Sequence, residues 1–364
     1  MSTKELAEVA QMLVLPGKGI LAADESTPTI TKRFNSVEIS CTEEMRSAYR
    51  EMLFTTDGLG EFISGIILFD ETFRQASSEG VGFPELIRQK GMIPGIKVDK
   101  GAKPMAGHAG EKITEGLDGL RGRLDEYREL GAQFTKWRAV ISIGEGLPTV
   151  ACMRANAHAL ARFAALSQEA GLVPVVEPEV LMEGSHSIEH CECVTELTLK
   201  TVFDELFEQR VLLEGMLLKS SMVVSGRGHK RTAPPEEVAE RTIRCLRRTV
   251  PAAVPGVVFL SGGQTDVEAT RNLNEQAHPA AVGVELFLWP RSSGAGPETV
   301  AWQRRQSGGS ARGPLPSGSM QQSGSAWDVF AGNGRGTCGG VLVKKHSKVF
   351  RYLELQFVLA NPAK

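Results

Sequence analysis

The stretch Leu212-Leu213-Glu214-Gly215-Met216-Leu217-Leu218-Lys219 is a nearly unbroken apolar run that ends in one amine. Its length and composition predict a strand that is buried on both faces, as in a parallel sheet. A lysine at the end of such a strand has two ordinary fates. Either its ammonium group reaches water, or burial lowers the pKa of the amine until it becomes nucleophilic. The other residues of the sequence are needed to distinguish a solvated lysine from a nucleophilic one.

Apolar segments alternate with helical segments along most of the chain. We predict seven strands, at residues 19–24, 64–70, 93–99, 134–140, 172–179, 212–219 and 256–263. Between them we predict helices, which include residues 43–54, 111–130, 148–170, 190–209 and 265–274. Seven strand–helix units in succession, each with an apolar strand, favour a parallel sheet with helices outside it.

Composition limits the class of protein. Of the 364 residues, 41% are hydrophobic and 23% are charged, which is enough for a sizeable core and a soluble surface. A net charge of −2 gives no indication of a nucleic-acid or anionic-membrane partner. The six cysteines have no C-x-x-C or zinc spacing, and no segment resembles a membrane span or a signal peptide. We therefore expect a soluble cytoplasmic protein with reduced thiols.

Polar side chains gather where the predicted strands end. They are Asp24, Lys97, Lys136, Arg138, Glu177, Glu179, Lys219 and the segment Ser261-Gly262-Gly263. Each alone has a common structural explanation, such as a helix cap or a surface ion pair. Their repetition at one end of successive strands is harder to explain in that way, because the carboxyl ends of parallel strands form the site in such folds. The sequence therefore predicts one shared site.

The residue types in this predicted site favour Schiff-base chemistry. Lys219 is the candidate nucleophile, and Lys136 could supply the cation that activates it. Loss of water from the carbonyl adduct needs a carboxyl group that acts as an acid and then as a base, and Glu177 fits that role. Asp24 is a candidate for deprotonating a substrate hydroxyl before a carbon–carbon bond breaks. Cations and turn amides could hold phosphate groups, so we expect a lyase that acts on a phosphorylated sugar.

Several segments resemble the motifs of class I fructose-bisphosphate aldolases. They are residues 19–26 (GILAADES), 95–101 (GIKVDKG), 136–138 (KWR), 176–179 (VEPE), 213–219 (LEGMLLK) and 259–264 (FLSGGQ). The resemblance runs in order from about residue 4 to residue 274, roughly three quarters of the chain. It implies a (β/α)8 TIM barrel, usually a homotetramer, that needs no cofactor and cleaves fructose 1,6-bisphosphate into two triose phosphates.

The resemblance also implies roles for individual residues. Lys219 corresponds to the imine lysine, Glu177 to the acid and base, and Lys136 and Glu179 to their neighbours. Asp24 corresponds to the residue that handles the substrate hydroxyl. The residues implied on the sugar or its distal phosphate are Ser26, Lys97 and Arg138. The phosphate beside the imine is assigned by the same resemblance to Ser261, Gly262 and Gly263.

Two departures from the family pattern stand out. Ser220-Ser221-Met222 follows Lys219 where the family usually has Pro-Asn-Met. Beyond about Asn274 the resemblance stops, and the Phe-Gly-Arg segment of the family's eighth strand has no counterpart, since proline precedes Arg291. The family's terminal tyrosine also has no counterpart in the last residues of the sequence, 361–364. We expect residues 282–289 to form a makeshift eighth strand, and bisphosphate turnover to be weakened.

Residues 291–340 are rich in Gly, Ser, Arg and Gln and have little apolar periodicity. We predict a barrel over residues 1–290 and a divergent, disordered tail over 291–364. A shift of reading frame would explain the change. DNA that encodes Ser-Phe-Gly-Arg-Ala-Leu-Gln, TCCTTTGGCCGCGCTCTTCAGGC, encodes Leu-Trp-Pro-Arg-Ser-Ser-Gly when read from its third base. That is the sequence of Leu288 to Gly294, so we expect a frame change between about Asn274 and Leu288.

Two other functions stay open at this point. A barrel with an incomplete phosphate site could act as a binding or scaffold protein with weak catalysis. A metal-dependent aldolase is the other alternative, but the seven histidines have no ligand spacing tied to the strand ends. We therefore expect no metal at the site.

Overall fold

The structure is a computed structural model. It describes residues 2–36 and 38–277, and three further strands at Asp328–Ala331, Val341–Lys344 and Phe357–Leu359.

The strands, in chain order, are β1 (Gly19–Ala23), β2 (Ile63–Leu68), β3 (Ile93–Lys97), β4 (Ala102–Pro104), β5 (Lys112–Thr114), β6 (Phe134–Ile141), β7 (Val173–Val180), β8 (Leu217–Ser220), β9 (Val257–Phe259), β10 (Asp328–Ala331), β11 (Val341–Lys344) and β12 (Phe357–Leu359). The helices are α1 (Thr3–Leu13), α2 (Thr27–Asn35), α3 (Glu43–Thr55), α4 (Leu59–Phe62), α5 (Asp70–Phe73), α6 (Phe83–Gln89), α7 (Leu120–Glu129), α8 (Val150–Glu169), α9 (Ile188–Glu208), α10 (Pro235–Thr249) and α11 (Asp266–Ala277).

A parallel barrel wall is the main feature of the described residues. Seven strands run parallel in the order β1-β2-β3-β6-β7-β8-β9, and each of the six connections between them contains at least one helix. This confirms the predicted parallel sheet and agrees with a (β/α)8 barrel. The predicted eighth strand, residues 282–289, lies outside the described residues. The place beside β1 is taken by β12, which runs antiparallel to β1 and also contacts β9.

The stretch that ends at Lys219 is only partly a strand, so the prediction over 212–219 was too long. Leu213–Gly215 forms a 3-10 turn, and β8 begins at Leu217. The cause is a tertiary contact. The side-chain amide of Gln168 donates to the carbonyl oxygens of Leu212 (2.8 Å) and Gly215 (3.1 Å) and accepts from the amide of Leu212 (2.9 Å). These are backbone groups that a continuous strand would have paired in its ladder.

The helix predicted over 111–130 was also too long. Residues 112–114 form β5, which pairs antiparallel with β4, and the helix α7 begins only at Leu120. Gly116 and Gly119 between them have φ angles of 130° and 66°, in the left-handed range where glycine is favoured. Strand β5 and the loop after it therefore take the place of the first turns of the predicted helix.

The barrel interior is apolar at the end where the strands begin. Helix α1 closes that end, and its Leu6, Val9 and Leu13 pack with Ile20, Ile67, Phe134, Val175, Leu217 and Val258. The approach is close, since a Cβ atom at Gly65 would lie 2.6 Å from Cδ2 of Leu13. A larger core lies between the strands and the outer helices. Because the bottom of the barrel is filled with hydrocarbon, the polar side chains of the interior gather at the strand C-termini.

In the parts of the chain that the structure describes, no helix has the length and apolar composition needed to cross a membrane. The five cysteines among those residues are free thiols.

Candidate active site

Lys219 and Glu177 form the centre of the site. The register that pairs Val176 of β7 with Leu218 of β8 places the next residue of each strand side by side. The Nζ atom of Lys219 lies 2.9 Å from Oε1 of Glu177, and each side chain is only 2% exposed. An amine and a carboxylate in direct contact at such depth can exchange a proton without an intervening water molecule.

Lys136 connects this pair to the opposite side of the barrel. Its Nζ atom lies 3.1 Å from Oε2 of Glu177 and 2.9 Å from Oδ2 of Asp24. Asp24 directly follows β1, which β2 and β3 separate from the strand of Lys136. The contact therefore crosses the barrel interior. We call these four side chains (Asp24, Lys136, Glu177 and Lys219) the inner cluster.

The charges of the inner cluster hold one another in their ionised forms. Burial alone would raise the pKa of Asp24, but Lys136 and Lys219 outweigh burial and lower that pKa to about 2. Burial likewise opposes ionisation of Glu177, and Lys136, Lys219 and Arg138 together lower its pKa. Burial would lower the pKa of Lys136, whereas Asp24 and Glu177 raise it well above its usual range. At neutral pH both carboxylates and Lys136 are therefore charged.

Arg138 and Lys97 lie around the inner cluster and are more accessible. The side chain of Arg138 is 43% exposed, and its Nε atom donates to a carboxylate oxygen of Glu179, which shares a strand face with Glu177. The Nζ atom of Lys97, on β3, donates to Oδ1 of Asp99 at 2.5 Å and to its backbone oxygen at 2.9 Å. The predicted face sharing of Lys136 and Arg138 agrees with these contacts, since both side chains reach carboxylates of the next strand.

The remaining predicted residues lie in turns at the same end of the strands. Ser26 precedes helix α2, and its Oγ atom lies 3.1 Å from Oγ1 of Thr29. Ser261, Gly262 and Gly263 follow β9. The two glycines have φ angles of 59° and 89°, so a side chain there would strain the backbone. Successive amides in such a turn form a concavity that suits an anion. The structure thus groups the predicted residues at one end. Among the described residues, direct contacts join the four members of the inner cluster to one another and Arg138 to Glu179.

Two carboxylates that the sequence analysis did not single out help to organise this end. Asp99 accepts from Lys97 and from the amides of Gly101 (3.1 Å) and Arg138 (3.3 Å). Glu25 accepts from Arg33 at 2.6 Å and also from the buried Arg50, which fixes the segment after β1. Asp99 was within reach of sequence reasoning, because it follows Lys97 by two residues and therefore shares its face. No local pattern marks Glu25, since Arg50 comes from a distant helix.

The inner cluster can perform imine chemistry. It holds an amine next to a carboxylate that can take up and return protons, with a fixed cation to stabilise negative charge. A second carboxylate lies on the far side of that cation. These are the groups needed to form a carbinolamine, expel water and accept a proton from a substrate hydroxyl.

Comparison with known proteins gives the family. The family profile described as fructose-bisphosphate aldolase class-I matches residues 5–282. The chain belongs to the class-I fructose-bisphosphate aldolases. This family is the Schiff-base lyase of glycolysis, which acts on a phosphorylated sugar. The match extends a few residues beyond Asn274, where the motif resemblance ends.

Several named aldolases are similar to this chain over about three quarters of its length. A protein of Xanthomonas campestris named "Probable fructose-bisphosphate aldolase class 1" is 62% identical over 275 residues, which are 76% of this chain and 82% of that protein. The Arabidopsis thaliana protein "Fructose-bisphosphate aldolase 6, cytosolic" is 53% identical over 270 residues, 74% of this chain and 75% of the plant protein. A solved structure of the Plasmodium falciparum aldolase, in complex with TRAP and an inhibitor, is 51% identical. It covers 76% of this chain and 80% of its own, with a TM-score of 0.75.

Proposed function

We propose that this chain cleaves fructose 1,6-bisphosphate reversibly to dihydroxyacetone phosphate and glyceraldehyde 3-phosphate through an imine on Lys219. The contact between Lys219 and Glu177 carries the proposal, because an amine and its proton acceptor lie 2.9 Å apart at the end of two neighbouring strands. The reactions below follow from the groups that surround this contact.

Imine formation begins with a proton transfer within the pair. When the ammonium proton of Lys219 passes to Glu177, the free amine adds to the substrate's ketone carbon. Glu177 then returns the proton to the carbinolamine hydroxyl, which leaves as water, and the iminium forms. Lys136 stays protonated throughout and stabilises Glu177 in the steps in which that carboxylate is charged.

Carbon–carbon cleavage uses the other carboxylate. Asp24 accepts the proton of the hydroxyl on the carbon at the far end of the breaking bond. That carbon becomes the carbonyl carbon of the released aldehyde, and the electron pair of the broken bond moves into the iminium to give an enamine. A carboxylate whose pKa is about 2 is a weak base. The electron demand of the iminium must therefore drive this step. Protonation of the enamine and hydrolysis of the iminium release the second product and restore the amine of Lys219.

Two sets of groups are proposed for the phosphates. Ser26, Lys97 and Arg138 are the proposed contacts of the sugar and its distal phosphate. The turn of Ser261, Gly262 and Gly263 is the proposed site of the phosphate beside the imine. The accessible position of Arg138 and the positive φ angles of Gly262 and Gly263 in the turn support this division.

A weakened enzyme is the second candidate, and one observation favours it. The Phe-Gly-Arg segment expected on the eighth strand does not occur anywhere in the sequence. Loss of a charge-assisted phosphate contact costs about 1.5–3 kcal/mol, or roughly 10- to 150-fold in binding. On this view imine chemistry survives, while turnover of the bisphosphate is reduced by about that factor. A scaffold protein without chemistry would form no imine at all.

Cleavage of fructose 1,6-bisphosphate by the purified protein, with and without EDTA, tests the proposed function. We expect measurable cleavage that EDTA does not change. Loss of activity with EDTA would favour a metal-dependent reaction. Among the described residues no three His, Cys, Asp or Glu side chains form a group that could hold a metal ion. The prediction of metal independence nevertheless awaits this measurement.

The reading-frame change before Leu288 stays a prediction, because residues 278–327 lie outside the described part of the chain. Resequencing the gene across codons 270 to 300 decides it. An intact frame there, together with normal bisphosphate turnover, would refute both the frame change and the weakened enzyme. The predicted division at residue 290 also stays a prediction.

A homotetramer in the cytoplasm is the assembly and location that we propose. The cytosolic name of the Arabidopsis relative supports the location, and the family resemblance supports the tetramer. Sedimentation analysis of the purified protein and imaging of a tagged chain in cells test these two proposals separately.

A further inference from the structure

Arg227 lies beside the turn that we propose for the phosphate next to the imine. It belongs to the segment that follows β8, and its side chain is exposed. The Nη2 atom of its guanidinium donates to the backbone oxygen of Gly263. The contact places a cation against the three-residue turn after β9.

The backbone around Arg227 is held firmly. Its own amide donates to the carbonyl oxygen of Met182 at 2.8 Å, and the amide of Gly228 donates to Gly184 at 2.8 Å. A Cβ atom at Gly226 would lie 2.6 Å from the oxygen of Gly184, so only glycine allows this close approach. The segment after β8 is thus fastened to the segment after β7. Arg227 is presented from a fixed position rather than from a free loop.

Among the contacts of the described residues, the guanidinium of Arg227 has hydrogen-bond donors left for an anion. It has five N–H groups in a planar fork, and the contact with Gly263 uses Nη2 alone. In the described part of the chain, the carboxylate of Glu268 is a nearby group that could compete for these donors. It already accepts from the amide and the hydroxyl of Thr265, each at 2.9 Å. Those bonds from Thr265, and to a smaller extent the charge of Arg227, keep the pKa of Glu268 below its ordinary value.

We propose that Arg227 binds the phosphate group beside the imine carbon, together with the amides of the Ser261–Gly263 turn. This assignment rests on the proposed function. It gives the turn a charged partner in a chain whose sequence lacks the Phe-Gly-Arg segment. A guanidinium and a set of backbone amides are a common combination for a phosphate monoester, because the fork matches two oxygens. Arg227 is therefore a determinant of specificity for phosphorylated ketones.

Imine trapping with two ketones tests the proposal. Dihydroxyacetone phosphate and dihydroxyacetone both form an imine at their ketone carbon, but only the first has a phosphate group. In R227Q we expect the concentration of dihydroxyacetone phosphate that gives half-maximal borohydride trapping to rise about 10- to 150-fold. Trapping with dihydroxyacetone should stay as in the unmodified protein. R227K should recover part of the loss, since it restores the charge without the fork.

R231Q is the matched control. Arg231 lies in the same segment, is exposed, and pairs with Glu237 at 2.7 Å, away from the turn. We expect it to leave trapping with both ketones unchanged. If R227Q weakened trapping with both ketones equally, or with neither, Arg227 would not be a phosphate contact. If the unmodified protein trapped neither ketone on Lys219, the proposed function itself would fail, and this proposal with it.

Discussion

The inner cluster and the cations around it differ in how their charges are balanced. In the inner cluster every charge is buried and lies within 3.1 Å of an opposite one. The outer cations, Lys97, Arg138 and Arg227, are more accessible. Among the described residues, Lys97 and Arg138 each pair with one carboxylate, and Arg227 contacts a backbone oxygen. Buried charges depend on their partners for both ionisation and folding, whereas accessible ones are solvated without them. We therefore expect changes in the inner cluster to affect chemistry and stability, and changes in the outer cations to affect phosphate binding.

The largest effect is expected at Glu177. In E177Q the carboxylate for which we propose a proton exchange with Lys219 is replaced by a neutral amide of the same shape. Imine formation should slow by about 10²- to 10⁴-fold, the range for a lost general acid or base. Single-turnover kinetics with dihydroxyacetone phosphate measures this rate. Unchanged kinetics would remove Glu177 from the mechanism.

The next effect concerns folding. K136M leaves Asp24 and Glu177 buried without their shared cation, which should lower the free energy of unfolding by about 3–5 kcal/mol. R227Q removes an exposed charge and should change it by no more than about 0.5 kcal/mol. Urea unfolding of both variants provides the comparison. Equal stabilities would contradict the distinction between buried and accessible charges.

A smaller effect is expected for substrate binding at Lys97. In K97M the buried carboxylate of Asp99 loses its ion pair with Lys97. It keeps its bonds from the amides of Gly101 and Arg138, so the fold should persist with reduced stability. The KM for fructose 1,6-bisphosphate should rise about 10- to 150-fold with little change in kcat. Fructose 1-phosphate, which has no distal phosphate, serves as the matched substrate. A similar rise in its KM would move Lys97 away from the distal phosphate.

The smallest effect is a dependence of stability on pH. Because the pKa of Asp24 is lowered from 3.8 to about 2 in the folded protein, its ionised form stabilises the fold above about pH 4. This contribution is lost as pH falls toward 2. It amounts to roughly 2 kcal/mol. The difference in unfolding free energy between the unmodified protein and D24N should therefore narrow between pH 4 and pH 2. A constant difference over that interval would show that Asp24 is not held ionised by its neighbours.

The inner cluster was accessible to sequence reasoning for a simple physical reason. Strand periodicity and the shared direction of parallel strands are local properties, and together they place Lys136, Glu177 and Lys219 at one edge. Where tertiary contacts determine the secondary structure, the prediction from the local sequence was wrong. The apolar run at 212–216 forms a turn because Gln168, from helix α8, takes its backbone hydrogen bonds. The hairpin at 112–114 depends in the same way on a partner strand ten residues earlier.

The outer part of the site was harder to predict. Asp99 could have been found, since it shares a face with Lys97. Arg227 could not, because its place beside Gly263 follows from three backbone hydrogen bonds between the segments after β7 and β8. Nothing in the residues around position 227 indicates those bonds except two glycines, which also fit an ordinary turn.

Mass spectrometry after borohydride reduction tests the central claim most directly. The purified protein is incubated with dihydroxyacetone phosphate, reduced and digested, and the modified peptide is sequenced. We predict a single adduct on Lys219, absent from K219R, in which a guanidinium keeps the charge beside Glu177 without a nucleophilic amine. An adduct on Lys97 or Lys136, or no adduct at all, would contradict the account.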